Sequence, residues 1–186
     1  MSYAWSFHSF SRDEFERLFG GSTPDEIDGF VEFAGAELDA ETLARATLTS
    51  GISYAGLDAD DAQTLDEIVK LAFSPEGFDE TLVLNHLSPD GLHPTVIKEL
   101  ISRSAAPRYL LLLLSGRRFG AQTPSSCEYC IFEPPEVVAA LDEIRAAAAA
   151  PAAWSQPYMQ ELVDQCLIGP FAAAAEEGRP LYAQLS

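Results

Sequence analysis

The first 100 residues signal a new helix start several times over, and this punctuation limits the fold more than any single motif does. Ser11-Arg12-Asp13-Glu14 and Thr23-Pro24-Asp25-Glu26 each set a hydroxyl three residues before a Glu. At that spacing, side chains and backbone amides of a first helical turn satisfy one another. Pro24 is the residue favoured at the first helical position. Behind these starts, Phe15, Leu18 and Phe19, then Ile27, Phe30, Val31 and Ala34, recur at helical spacing. Gly20-Gly21 stops the first helix. Asp39 is placed to cap a third, carrying Leu43, Ala46 and Thr47. Asp58, Asp60 and Asp61 stand where carboxylates favour a helix N-terminus, ahead of Leu65, Ile68, Val69 and Ala72. That helix ends near Ser74-Pro75, and Pro94 opens another with Val96, Ile97, Leu100 and Ile101 as its apolar stripe.

Strand signals lie elsewhere. Tyr3, Trp5 and Phe7 alternate with small or polar residues, which predicts a strand with one aromatic face and His8 on the other. Thr81 to Leu87 fits a short strand or a helix equally well. Arg108 to Ser115 is short and continuously apolar, which predicts a central strand buried on both faces and ended by Gly116. A second strand follows at Cys127 to Phe132, and Pro134-Pro135-Glu136 opens a helix through Val137, Val138, Leu141 and Ile144. Helices near Gln156 to Ile168 and Phe171 to Glu177 precede a last strand, Pro180 to Leu185. The expectation is a single α+β domain over 1–186, with several short helices and a small mixed sheet gathering the N-terminal, middle and C-terminal strands. Residues 1–107 form an acidic, mainly helical half and residues 108–186 a sheet-bearing half. At 47% apolar residues, a chain of 186 can build its core without disulfides or a structural metal.

Charge narrows the partners. The chain has 29 acids and 11 Lys or Arg, a balance of −18. Residues 1–100 carry 20 acids against five bases, and the remainder nine against six. Proteins that track a phosphate backbone gain affinity through Lys and Arg, so nucleic-acid binding is not expected, and an anionic membrane surface is disfavoured for the same reason. The longest bulky apolar run, Tyr109 to Leu114, falls far short of the roughly 20 residues of a membrane helix. A basic protein partner, a small ligand or plain solubility remain. Three cysteines, an odd number, and a start without basic and apolar signal regions point to a reducing, cytoplasmic setting.

Few residues carry a chemical signature. Cys127-Glu128-Tyr129-Cys130 lacks a second pair to complete a zinc site, and it lies before a strand rather than at a helix start, where a redox dithiol belongs. Asp58-x-Asp60-Asp61 has Gln63 and Val69 where a calcium loop needs Gly and Glu. No metal or cofactor is expected. His8, His86 and His93 are the acid-base candidates, the last two flanking a turn built on Ser88-Pro89-Asp90-Gly91. No nucleophile elbow or phosphate loop is present. The aperiodic segment from Gly116 to Ser126 carries Arg117 and Arg118. Together with Arg103 and Arg108 these place four of the 11 bases within sixteen residues. Such a loop suits a ligand, or its arginines pair with acidic helices of the same chain.

The N-terminal aromatic strand, the segment Tyr129-Cys130-Ile131-Phe132-Glu133-Pro134-Pro135-Glu136-Val137 and the ending Phe171 to Leu181 resemble the YfbM-like family of small bacterial α+β proteins. The chain departs from that pattern at Glu133-Pro134, where the family has a capping Thr. The resemblance implies the fold and no activity. The functional expectation is an acidic, cytoplasmic protein-binding module, an immunity-type or nucleic-acid-mimicking inhibitor of a basic partner, rather than an enzyme. Its candidate binding residues are Arg117, Arg118, Asp58, Asp60 and Asp61. One alternative is a small-molecule binder or enzyme using the Arg117/Arg118 loop and a histidine. A second is an oligomeric structural protein using Trp154, Tyr158 and Met159.

Overall fold

The computed structural model describes residues 4–34, 41–74, 81–87 and 91–185. Tyr3, the expected cap Asp39, Pro75 and most of the turn at 88–91 lie outside them. The chain forms two compact units, one of residues 1–10 with 84–186 and one of residues 11–83. The boundary expected at 107/108 is therefore replaced by an insertion. The first strand belongs with the C-terminal half because its ladder partner is the last strand of the chain.

The sheet unit is built on β1 (Trp5–Phe10), β2 (Val83–His86), β3 (Tyr129–Phe132) and β4 (Leu181–Leu185), in the order β2-β1-β4-β3. β1 and β3 both pair antiparallel with β4, Phe7 and Cys130 facing Ala183 from its two sides. A single parallel bridge joins Arg117 to Cys130. The α+β architecture with a sheet of N-terminal, middle and C-terminal strands is thus present, and the ambiguous stretch at 81–87 contributes β2. Alternation puts Trp5, Phe7, Cys130, Phe132, Leu181 and Ala183 on one face, in the main core. His8, Tyr129, Ile131 and Tyr182 occupy the other face and are buried as well.

Covering the core face are α5 (Pro94–Arg103), α6 (Tyr109–Ser115), α7 (Pro134–Ala148) and a long helical run from Met159 to Glu177. Phe171 meets Phe7 and Phe132 edge to face, with ring centroids 5.8 and 5.3 Å away. Each such fully buried ring contributes about 1.5–3 kcal/mol relative to exposure. The run comprises α8 (Met159–Val163), a π-helical turn (Asp164–Ile168) and α9 (Gly169–Glu177). The widened turn has a local cause: Pro170 has no amide for an α-type bond, and the Gly169 amide reaches back five residues to the Asp164 carbonyl.

The strand expected at 108–115 is instead α6. Its leucines include no β-branched residue and favour a helix. The carboxylate of Glu143 on α7 accepts from the first amides of the turn, those of Arg108, Tyr109 and Leu110, at 2.9–3.1 Å. Leu110, Leu112 and Leu113 turn inward and Leu111 is 40% exposed, which is how a single helical turn distributes an apolar run.

The inserted unit is helical: α1 (Arg12–Gly21), α2 (Pro24–Ala34), α3 (Glu41–Ser50) and α4 (Ala59–Ala72). Ser11 caps α1 by accepting from the Glu14 amide, and Thr23 and Glu26 bond reciprocally at the start of α2, as their spacing predicts. Gly20, at φ +122°, breaks α1. Phe15 packs against Phe19 and Phe73 in this unit's own core. On α3 the buried face is Ala44, Thr47 and Leu48, and the expected Ala46 is exposed. Among the described residues, no helix is long and apolar enough to cross a membrane.

Candidate functional site

The sequence-predicted residues fall into separate places. Arg117 and Arg118 follow α6 in the sheet unit, whereas Asp58, Asp60 and Asp61 start α4 in the helical unit. Gly116 ends α6 and turns the chain so that the Arg117 amide donates to the Tyr129 carbonyl at 2.7 Å. The Arg117 side chain then runs along the outer edge of β3. Its guanidinium donates to the Ile131 carbonyl and, as a two-pronged fork, to both carboxylate oxygens of Glu136 at 2.7 and 2.6 Å. The Phe132 ring lies 5.6 Å away. Only 6% of Arg117 is exposed. The arginine therefore pairs within its own chain, with the first turn of α7 rather than with the acidic helices of the first half.

Glu136 is in turn held by the Glu133 amide at 3.1 Å. Burial pushes its carboxyl pKa up, but the hydrogen bonds from Arg117 and from the Glu133 amide, with the guanidinium charge, outweigh this and hold it below the usual range. The rest of the loop is tied to the same strand, the Phe119 amide donating to the Tyr129 hydroxyl. Arg118 is half-buried and also engaged.

The cysteines are packing groups. Cys127, Cys130 and Cys166 are all buried thiols. Burial pushes the Cys130 thiol up to about 12 despite the neighbouring Arg117, so it stays protonated and is a poor nucleophile and metal ligand at neutral pH.

Asp58 is the N-cap of α4, one oxygen accepting from the Asp60 and Asp61 amides at 3.0 and 2.9 Å. Asp60 and Asp61 are exposed in the first turn. Asp58→Ala is expected to cost about 1 kcal/mol and Asp60→Asn a few tenths at most, read from urea denaturation; equal losses would disprove the capping role.

The histidines divide too. His93 caps α5, its Nδ1 accepting from the Thr95 amide and hydroxyl. His8, on the second face of the sheet, has its Nδ1 at 2.8 Å from Nδ1 of His86 and its Nε2 at 3.2 Å from the Ser6 hydroxyl. It is stacked on Tyr182 at 6.2 Å. Burial, then the nearby His86 charge, lowers its pKa to about 4.

An open depression of about 490 Å³ lies along α5, lined by Lys98, Glu99, Ser102, Arg103 and Ser155. Arg103, Glu99 and Ser155 serve the fold. Arg103 lies 3.9 Å over Trp154 and donates to the carbonyls of Ala147, Ala148, Ala150 and Ala152, closing the C-terminus of α7. Glu99 accepts from the amide and hydroxyl of Ser155. Of the apolar residues read as an oligomer surface, Trp154 is under Arg103 and Met159 is buried, while Tyr158 is 56% exposed.

Sequence reasoning missed the two carboxylates that organise this region. Glu136 was visible as the third residue of a Pro-initiated helix. Glu143 had no local signal. Comparisons with protein-family models, with curated proteins and with solved structures returned no match. The resemblance to the YfbM-like family rests on the three segments alone.

Proposed function

We propose that the chain is a protein-binding module that presents its helical unit to a basic partner, in the manner of an immunity-type or nucleic-acid-mimicking inhibitor. The supporting observation is how charge is distributed between the units. Residues 11–83 hold 18 acids against four bases, a balance of −14, whereas the sheet unit holds 11 acids against seven bases. All four cations of the helical unit pair with its own carboxylates. Arg12 pairs with Glu16, Arg17 with Glu14 and Glu26, Arg45 with Asp28 and Glu41, and Lys70 with Glu67. No base of this unit is left to balance the exposed Asp13, Asp25, Glu32, Asp60 and Asp61. A field of this sign draws in a cationic surface and raises the encounter rate, an effect that salt screens.

Capping uses part of this charge, since Asp13, Asp25, Asp60 and Asp61 stand in first turns whatever binds. The test therefore separates charge from fold. Immobilised full chain is exposed to cell lysate at low and high salt, beside an Asp25→Asn, Glu32→Gln, Asp60→Asn, Asp61→Asn variant whose helicity is checked by circular dichroism. A basic protein retained at low salt and released at high salt, associating roughly tenfold more slowly with the variant, is the expected result. Recovery of no basic protein at low salt, or a partner indifferent to the four substitutions, would remove the proposal.

A further inference from the structure

His8 and His86 are 78 residues apart in sequence and meet across β1 and β2, with ring planes at 87° and the two Nδ1 atoms 2.8 Å apart. The hydrogen bonds behind His8 decide which ring carries the proton. The Gln184 carbonyl can only accept, so the Ser6 hydroxyl donates to it, at 3.4 Å. The Ser6 oxygen then accepts from His8 Nε2–H, at 3.2 Å. That leaves a lone pair on His8 Nδ1, and His86 must be the donor, with its own Nε2 unprotonated on an exposed ring. A directed relay thus runs from His86 through His8 and Ser6 to the backbone of β4.

We infer that this pair is a proton-operated latch holding β2 on β1, which opens when both rings are protonated. In the singly protonated pair one Nδ1–H still points at a lone pair, and the bond becomes charge-assisted. In the doubly protonated pair two N–H groups and two like charges face each other with no acceptor between them. Among the described residues, no charged group bonds to His8 to offset the second charge. His8 meets Ser6 on its own strand, His86 on β2 and, from β4, the ring of Tyr182, and no described carboxylate bonds to either imidazole. Its low pKa agrees with this setting.

The latch adds to the backbone bonds that β2 makes with β1, on a strand whose own side chains bury little. The strand is four residues long, and Leu84, Asn85 and His86 are all exposed. Beside it the Leu87 amide donates to the Phe7 carbonyl at 2.8 Å, a bond whose protection reports whether the segment is seated. The sign of the pH effect follows. His8 titrates at 6.5 when unfolded and at about 4 when folded, so its contribution is complete above pH 6.5 and is lost as pH falls toward 4.

The test is long-range proton–nitrogen correlation of the imidazoles in the full chain from about pH 8 to about pH 3.5, with amide exchange at Leu87 read in parallel. Expected at neutral pH are the Nε2–H tautomer for His8 and the Nδ1–H tautomer, uncommon for an exposed ring, for His86. On acidification, protection at Leu87 falls by about tenfold as His8 titrates near pH 4. In His86→Gln, a surface change that spares the core, His8 titrates higher and the drop at Leu87 shrinks. A neutral His86 in the Nε2–H form, a His8 that titrates as an ordinary histidine, or Leu87 protection unchanged through the His8 transition would each overturn the latch.

Discussion

Gly116→Ala is expected to destabilise the protein by about 4 kcal/mol or more, a large part of the stability of an ordinary domain. Gly116 has φ +73° and ψ 168°, a region that belongs to glycine. Conformation is the smaller part of the cost. A Cβ at this position would sit 1.8 Å from the Cys127 carbonyl oxygen, 2.6 Å from its carbon and 2.9 Å from the Tyr129 oxygen. All three are backbone atoms, so no rotamer change relieves the clash. Relief requires moving the 116–127 loop off β3, which breaks the Arg117 amide bond to Tyr129 and the Ser125 amide bond to Gly116. Gly120→Ala is the control: φ is +78° there too, but nothing lies within 4 Å of the added carbon. Its cost should be about 1–2 kcal/mol, from backbone conformation alone. Urea denaturation of the two variants separates close approach from strain, and equal losses would refute the account.

Removing the Arg117 guanidinium is expected to be nearly as damaging. Arg117→Met leaves the half-buried Glu136 carboxylate without its cation and the Ile131 carbonyl without its donor, at a cost of about 3–5 kcal/mol. Glu136→Gln keeps an acceptor for the guanidinium and costs less. Adding Glu136→Gln to Arg117→Met should recover part of the loss, because the orphaned charge disappears with it. pH provides a second check. The Glu136 carboxyl titrates lower in the folded chain than in the unfolded one. The pair therefore stabilises the fold above the ordinary carboxylate pKa, and this stabilisation is lost as pH falls through the folded value. The gap between wild type and Arg117→Met, measured by urea denaturation, should narrow in acid; a constant gap would mean that the methionine costs packing rather than charge pairing.

These two neighbours show which parts of the fold were legible in the sequence. Elements whose determinants are local could be read directly: the capping spacings at Ser11, Thr23 and Asp58 put α1, α2 and α4 where they form. The alternation of Trp5 and Phe7 gave both the strand and its core face. The leucine run at 109–114 could not be resolved the same way. It has no periodicity, and the group that commits it to a helix, Glu143, arrives from more than thirty residues away. The sites followed the same rule. Arg117 and His8 stood out as residue types, but their roles depend on Glu136 and His86, partners that only the folded chain supplies.

The pairing of β1 with β4 sets an order of events during synthesis. Trp5 lies opposite Leu185 in that ladder, so one side of the first strand has no partner until residue 185 has left the ribosome. Meanwhile the stretch 11–83 has emerged with the residues of its own core and is free to fold first. The aromatic β1 must therefore wait, unpaired on that side, while the strongly anionic stretch that follows it in the chain has already emerged. Like charges repel one nascent chain from the next, so the acidic insert also works against association between chains while that strand waits.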